Sequence, residues 1–120
     1  MRFRLSVLAG LIGLAIGCGS SSPSSPSNTT TTGTPVSIVA NSSTLTTTAY
    51  APNPVSISVG GTVTWTNNDS TAHTATADNG SFSSGNIAPG GKFSQTFSTA
   101  GTFTYKCTLH PNMVGTVTVR

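Results

Sequence analysis

Charge is what this chain of 120 residues has least of, at 6% Asp, Glu, Lys and Arg together. Its two acids are Asp69 and Asp78. Two of the five basic residues, Arg2 and Arg4, fall in the leading segment. The remainder sets Lys92, Lys106 and Arg120 against the two aspartates, so 3 − 2 = +1. A chain so poor in charge has no basic patch with interleaved aromatics for nucleic acid and no strong field to steer a partner. Cysteine, histidine and methionine number two each, so any chemistry of theirs draws on a very short inventory. Helical apolar periodicity is missing from Pro35 onward, and no apolar run is long enough to span a bilayer.

The longest apolar run, within Met1–Ile16, follows Arg2 and Arg4 and is broken only by Ser6, Gly10 and Gly13. A positive start and a short apolar stretch form the pattern of a secretory signal. Gly17-Cys18-Gly19 then resembles a bacterial lipoprotein signal, in which the cysteine is lipidated and becomes the mature N-terminus. We therefore expect residues 1–18 to be a signal with Cys18 as lipid acceptor, and the product to be exported, periplasmic or otherwise extracytoplasmic. Residues 19–34 (GSSSPSSPSNTTTTGT) are low-complexity and lack apolar residues other than proline. Such a segment buries too little to order itself and serves as a tether with a reach of about 20 Å.

From residue 35 the composition turns to short runs of Val, Thr, Ile and aromatics punctuated by Gly, Pro and Asn. Strands are expected at Val36–Val39, Leu45–Tyr50, Val55–Val59, Thr62–Thr66, His73–Ala77, around Phe93 and Phe97, at Thr102–Cys107 and around Val117 and Val119. Seven to eight short strands without a helix signal indicate an all-β sandwich or barrel over 35–120. Its expected core is Trp65, Phe82, Phe93, Phe97, Phe103 and Tyr105.

The chemistry concentrates in Cys107-Thr108-Leu109-His110-Pro111-Asn112-Met113. A thiol, an imidazole and a thioether stand three residues apart, between two strand-like runs. A His₂Cys set with a weak axial methionine is the blue-copper arrangement. It requires one more histidine, and the chain has one, His73. Thiolate and thioether favour Cu(I) while imidazole suits both oxidation states. Zinc is the competing ion, but it prefers four firm ligands and methionine is a poor one. Taken singly, each residue has a plainer role: a surface histidine, a buried cysteine, a core methionine. In an exported chain, though, a lone thiol is a liability unless buried, bonded or metallated.

Wider motifs extend the pattern. Pro54-Val55-x-Ile57-x-Val59-Gly60-Gly61-Thr62-Val63-Thr64-Trp65-Thr66-Asn67 leads to His73-Thr74. Ser81-Phe82-x-Ser84-Gly85, Pro89-Gly90 and Gly101-Thr102-Phe103-x-Tyr105-x-Cys107-x-x-His110-Pro111-x-Met113-x-Gly115 follow. Together these resemble the cupredoxins, in particular the plastocyanin/amicyanin-like small blue copper proteins, over about residues 35 to 120. The resemblance implies a Greek-key β-sandwich holding one copper at one end, with His73, Cys107 and His110 as equatorial ligands and Met113 as the axial one. Thr74 departs from the pattern: plastocyanin and amicyanin carry asparagine there, hydrogen-bonding towards the cysteine loop. The acidic patch of plastocyanin is missing too.

The implied function is a monomeric carrier of single electrons by Cu(II)/Cu(I) cycling, not an enzyme, with redox protein partners docking near His110. Lipid on Cys18 would attach it to a membrane. The alternative is a copper storage or chaperone protein with the metal as cargo, which would favour exposed Met- and His-rich motifs that are scarce here. Copper enzymes need a further site with more histidines. Cysteine-nucleophile catalysis could pair Cys107 with a histidine, but it leaves Met113 unexplained and shows no evident orienting carboxylate in sequence.

Overall fold

The computed structural model describes residues 33–120. The expected signal, Cys18 and all but the last two residues of the tether lie outside the described residues. Eight strands run β1 (Thr34–Ile38), β2 (Tyr50–Ala51), β3 (Val55–Ile57), β4 (Thr62–Asn67), β5 (Thr76–Ala77), β6 (Lys92–Thr96), β7 (Gly101–Lys106) and β8 (Val114–Val119). They form two four-stranded sheets ordered β2-β1-β4-β6 and β3-β8-β7-β5. This is the β-sandwich expected. β1 runs parallel to β4 and β3 parallel to β8, while the other pairs are antiparallel.

Alternation decides which side of each strand is buried. In β4, Val63, Trp65 and Asn67 turn inward while Thr62, Thr64 and Thr66 turn outward. The outward threonines pair across the sheet with β6, Thr62 with Thr96 and Thr64 with Ser94, both at 2.8 Å. In β8, Gly115, Val117 and Val119 are buried in the same alternation. Trp65 is fully buried, with Phe82 and Phe93 each at 5.6 Å between ring centroids and Tyr105 edge-on at 5.4 Å. Tyr50 meets Tyr105 edge-on at 4.7 Å. Edge-to-face pairs of this kind contribute about 0.5–1.5 kcal/mol each beyond the area they bury.

Glycine is required where Tyr105 crosses β8. A Cβ at Gly115 would lie 2.5 Å from the Tyr105 hydroxyl, so only a residue without a side chain lets the ring lie flat on the neighbouring strand. At the Ala88–Gly91 turn, Gly91 N–H donates to Ala88 O at 2.7 Å and Gly90 has φ of 82°. That is the left-handed third position of a Pro-Gly turn.

Three expectations need correction. Leu45–Tyr50 is not a strand: a 3-10 turn at Ser42–Thr44 and an irregular stretch precede the two-residue β2. The turn follows Asn41, which adopts the left-handed conformation at φ 62°. His73–Ala77 is strand only at its end. His73 makes an isolated bridge to Ile87, because the backbone there is recruited by a loop instead of a ladder. The expected core omitted Val36, Ile38, Tyr50, Val63 and Met113, all buried, whereas Phe93 and Phe103 are only partly so.

Candidate metal centre

The Cys107–Met113 loop joins β7 to β8 and is built from two successive tight turns. His110 N–H donates to Cys107 O at 3.2 Å, and Met113 N–H donates to His110 O at 2.9 Å. Cys107 N–H then donates to Met113 O at 3.1 Å, closing the loop as a continuation of the β7–β8 ladder. Each turn advances three residues, which is the spacing of the thiol, imidazole and thioether. A strand cannot do this: in a ladder, alternate residues face one side.

His73 is held from the other side of the sandwich. Asn67, at the end of β4, is fully buried. Its Nδ2 donates to Thr71 O at 2.8 Å and Ile87 O at 2.9 Å, and its Oδ1 accepts from Asp69 N–H at 2.9 Å. The connection from β4 to His73 is therefore wrapped around one buried amide. Reciprocal backbone bonds between His73 and Ile87, at 3.2 and 2.7 Å, fix the next step.

These supports bring three donors together. Cys107 Sγ lies 3.7 Å from His73 Nδ1 and 3.7 Å from His110 Nδ1. Donor atoms of His73, Cys107 and His110 all fall within 4.8 Å of one another. The two imidazole rings are 4.9 Å apart between centroids. His73, Cys107 and Met113 have no exposed surface, while His110 is half-buried. Among the described residues Cys107 makes no disulfide. Three of the four residues singled out from sequence are thus brought together, and Met113 is buried at the end of the same loop.

The donor set fits copper. Both histidines turn the same nitrogen, Nδ1, towards a single thiol, and Thr74 N–H donates to that Sγ at 3.3 Å. One soft sulfur and two imidazoles, with a buried methionine on the same loop, match the N₂S set with weak thioether that characterises blue copper, and fall short of zinc's preference for four firm ligands.

Two groups that sequence reading undervalued support the site. Thr74, in the place where asparagine was expected, makes the missing link itself: its Oγ1 accepts from Thr108 N–H at 2.9 Å and lies 3.3 Å from the Thr108 hydroxyl. Thr74 O accepts from the Tyr50 hydroxyl at 2.6 Å. Asp69 is the other. Its Oδ2 lies 2.7 Å from His73 Nε2 and accepts from Ser42 Oγ at 3.3 Å; its Oδ1 accepts from Asn41 N–H at 3.0 Å and Ser70 N–H at 2.8 Å. The bond to His73, then that from Asn41, hold this carboxyl well below the usual carboxylate range. The signal in sequence was slight, an acid four residues before a histidine. The orienting carboxylate that the sequence did not reveal is therefore present.

A β-sandwich with His, Cys, His and Met gathered at one end defines the cupredoxins, the small blue copper proteins. Comparison with known sequences makes the assignment particular. The family described as copper binding proteins, plastocyanin/azurin family, matches residues 37–120, and the chain belongs to it. The plastocyanin of Scenedesmus fuscus is 37% identical over 84 residues, spanning 59% of this chain and 86% of that protein. Among solved structures, a purple cupredoxin from Nitrosopumilus maritimus has a TM-score of 0.67 at 35% identity, covering 72% of this chain and 99% of its own. An amicyanin variant in its reduced Cu(I) form has a TM-score of 0.61 at 28% identity, covering 73% of this chain and 82% of its own. His73, Cys107, His110 and Met113 are arranged as a type 1 copper site.

Proposed function

We propose that this protein is an exported electron carrier holding one copper through His73 Nδ1, Cys107 Sγ and His110 Nδ1, with Met113 as axial ligand. The convergence of both Nδ1 atoms on one buried thiol at 3.7 Å carries the reading. When bound, copper supplies a one-electron Cu(II)/Cu(I) couple. The chain's part is to hold soft and borderline donors in one geometry, so that the electron moves with little rearrangement. It also keeps water from the thiol: Cys107 and His73 are both 0% exposed.

Electrons would enter and leave through His110, whose edge is the accessible part of the constellation. Leu109, 47% exposed, is one of two large apolar side chains left in solvent among the described residues, and Pro111 is exposed beside it. An apolar rim around a half-buried ligand suits transient docking by a redox protein. In this reading the signal delivers the domain beyond the cytoplasm, and lipid on Cys18 with the 19–34 tether keeps it at a membrane while leaving it free to reorient.

Two other readings are weaker. Cargo copper calls for exposed ligands that hand the ion over, whereas here three of the four, His73, Cys107 and Met113, are fully buried. Cys107, His73 and Asp69 stand in the order of a nucleophile, base and orienting acid. With the first two fully buried, no substrate carbonyl reaches the sulfur.

Titrating the purified apo-protein with Cu(II) tests the proposal. An intense visible thiolate-to-copper band, absent in Cys107→Ser, is expected. Binding without that band would point to cargo copper, and no binding would leave only a β-sandwich.

A further inference from the structure

Asp69 does no work in the ligand set, yet it is among the best-supported side chains in the domain. Two backbone N–H groups donate to Oδ1 and the Ser42 hydroxyl donates to Oδ2, where the His73 ring nitrogen also lies. With Oδ1 taken by two N–H donors and Oδ2 by the Ser42 hydroxyl, the carboxylate is the form that satisfies these three donors, and it leaves Oδ2 an acceptor for His73 Nε2. It sits 2.7 Å from His73 Nε2, with 5% of its side chain exposed. Ser42 Oγ, fully buried, lies 3.1 Å from the same nitrogen.

We infer that Asp69 is a positioning residue that locks His73 as the Nε2–H tautomer and places a permanent negative charge behind the metal site, favouring Cu(II) over Cu(I). The inference rests on the proposal that His73 is a copper ligand, and adds what tunes it. Locking follows from the donor pattern. A carboxylate at Nε2 demands a proton there, so the Nδ1 lone pair is left facing Cys107 Sγ at 3.7 Å. Without it, His73 could carry its proton on Nδ1 and would have to lose it before binding.

The charge follows from addition. The thiolate of Cys107 and the carboxylate of Asp69 together contribute −2, which a divalent ion brings to zero and a monovalent ion leaves at −1. In a buried site of low effective dielectric an uncompensated charge is costly, so the oxidised state gains most from Asp69. Ligand-orienting carboxylates of this kind alter metal affinity by about 10–100-fold when removed. Most of that loss should fall on Cu(II).

The test uses Asp69→Asn, which preserves shape and removes the charge, with Ser42→Ala as a second variant that leaves Asp69 in place. In the apo wild-type protein, long-range ¹H–¹⁵N histidine spectra at neutral pH should show His73 protonated at Nε2 alone. In Asp69→Asn the Nδ1–H form should appear, Cu(II) affinity should fall at least about tenfold more than Cu(I) affinity, and the reduction potential should rise by the equivalent, 59 mV per tenfold. Ser42→Ala should keep the tautomer. An Nδ1–H His73 in the apo wild type would overturn the inference even if Asp69→Asn failed to fold. So would an unchanged potential and tautomer in a folded Asp69→Asn. A wild-type protein lacking the thiolate-to-copper band, but with His73 locked at Nε2–H, would instead sink the copper reading and leave the positioning role standing.

Discussion

Replacing Thr74 by valine isolates the link between the two halves of the copper site. The side chain is 2% exposed, and valine exchanges its hydroxyl for a methyl of nearly the same shape. What disappears is one acceptor. Thr108 N–H loses its 2.9 Å bond, and the contacts to the Thr76 and Thr108 hydroxyls at 3.1 and 3.3 Å go with it. The Thr74 backbone, with its bonds to Cys107 Sγ and Tyr50, stays in place. A buried donor left without a partner costs about 1–3 kcal/mol, and since Thr108 N–H is only part-buried the lower half of that range, about 1–2 kcal/mol, applies. In a domain of this size, that lowers the apo melting temperature by about 4–16 °C. Thr74→Ser keeps the acceptor and should retain most of the bond, losing only a methyl. Urea unfolding of the three apo-proteins at neutral pH measures this directly, with equal m-values confirming that the unfolded states are alike. A Thr74→Val midpoint equal to wild type would refute the claim that this hydroxyl ties the His73 segment to the ligand loop. A Ser variant as weak as Val would assign the effect to packing.

Both tyrosines of the chain are buried, and burial raises their pKa well beyond the ordinary range. The stability this represents is complete below about pH 10, where the unfolded chain begins to ionise, and is lost above it at about 2.7 kcal/mol per pH unit for the pair. Tyrosinate absorbance should therefore appear only together with alkaline unfolding, and a smooth rise near pH 10 in a folded protein would contradict the burial. The same substitution should act differently at the two positions. Tyr50→Phe strands Thr74 O and should cost about 1–1.5 kcal/mol, whereas Tyr105→Phe removes a hydroxyl with no hydrogen-bond partner among the described residues and should fall within about 0.5 kcal/mol of wild type in urea midpoints. Because Asp69 is buried and Asp78 pairs with Lys106 at 3.7 Å, little free charge remains for long-range attraction. Electron self-exchange between copper-loaded copies, followed by NMR line broadening, should change less than about twofold between low salt and about 0.5 M.

Much of this was legible in the residues themselves. Strict alternation in β4, β7 and β8 gave their inward faces, and the Cys-x-x-His-x-x-Met spacing marked the site because two turns of three residues each are needed to aim those side chains together. Illegible parts share a cause, the use of side chains as substitutes for a ladder. Asn67, in sequence only the last residue of a strand-like motif, is a buried brace between the Thr71 and Ile87 carbonyls. Asp69 and Ser42 lie 27 positions apart, and no local pattern connects them. His73 resembled the start of a strand because its neighbours alternate, yet its backbone is taken by Ile87. Thr74 seemed a departure from an asparagine-bearing pattern, while a shorter side chain reaches the same loop.

The closed ring of hydrogen bonds from Cys107 to Met113 has a consequence outside the native state. Three of the four donors remain neighbours in any conformation of the chain, whereas His73 is 34 positions from Cys107. An unfolded chain therefore still offers thiolate, imidazole and thioether as a local chelate, and Cu(I) is the ion that prefers them. Metal held by the unfolded state subtracts from what metal adds to the native one. Reduced copper should thus protect the fold by less than its native affinity suggests, and can be captured before the sandwich closes. His73, by contrast, joins the other three donors only through the folded sandwich.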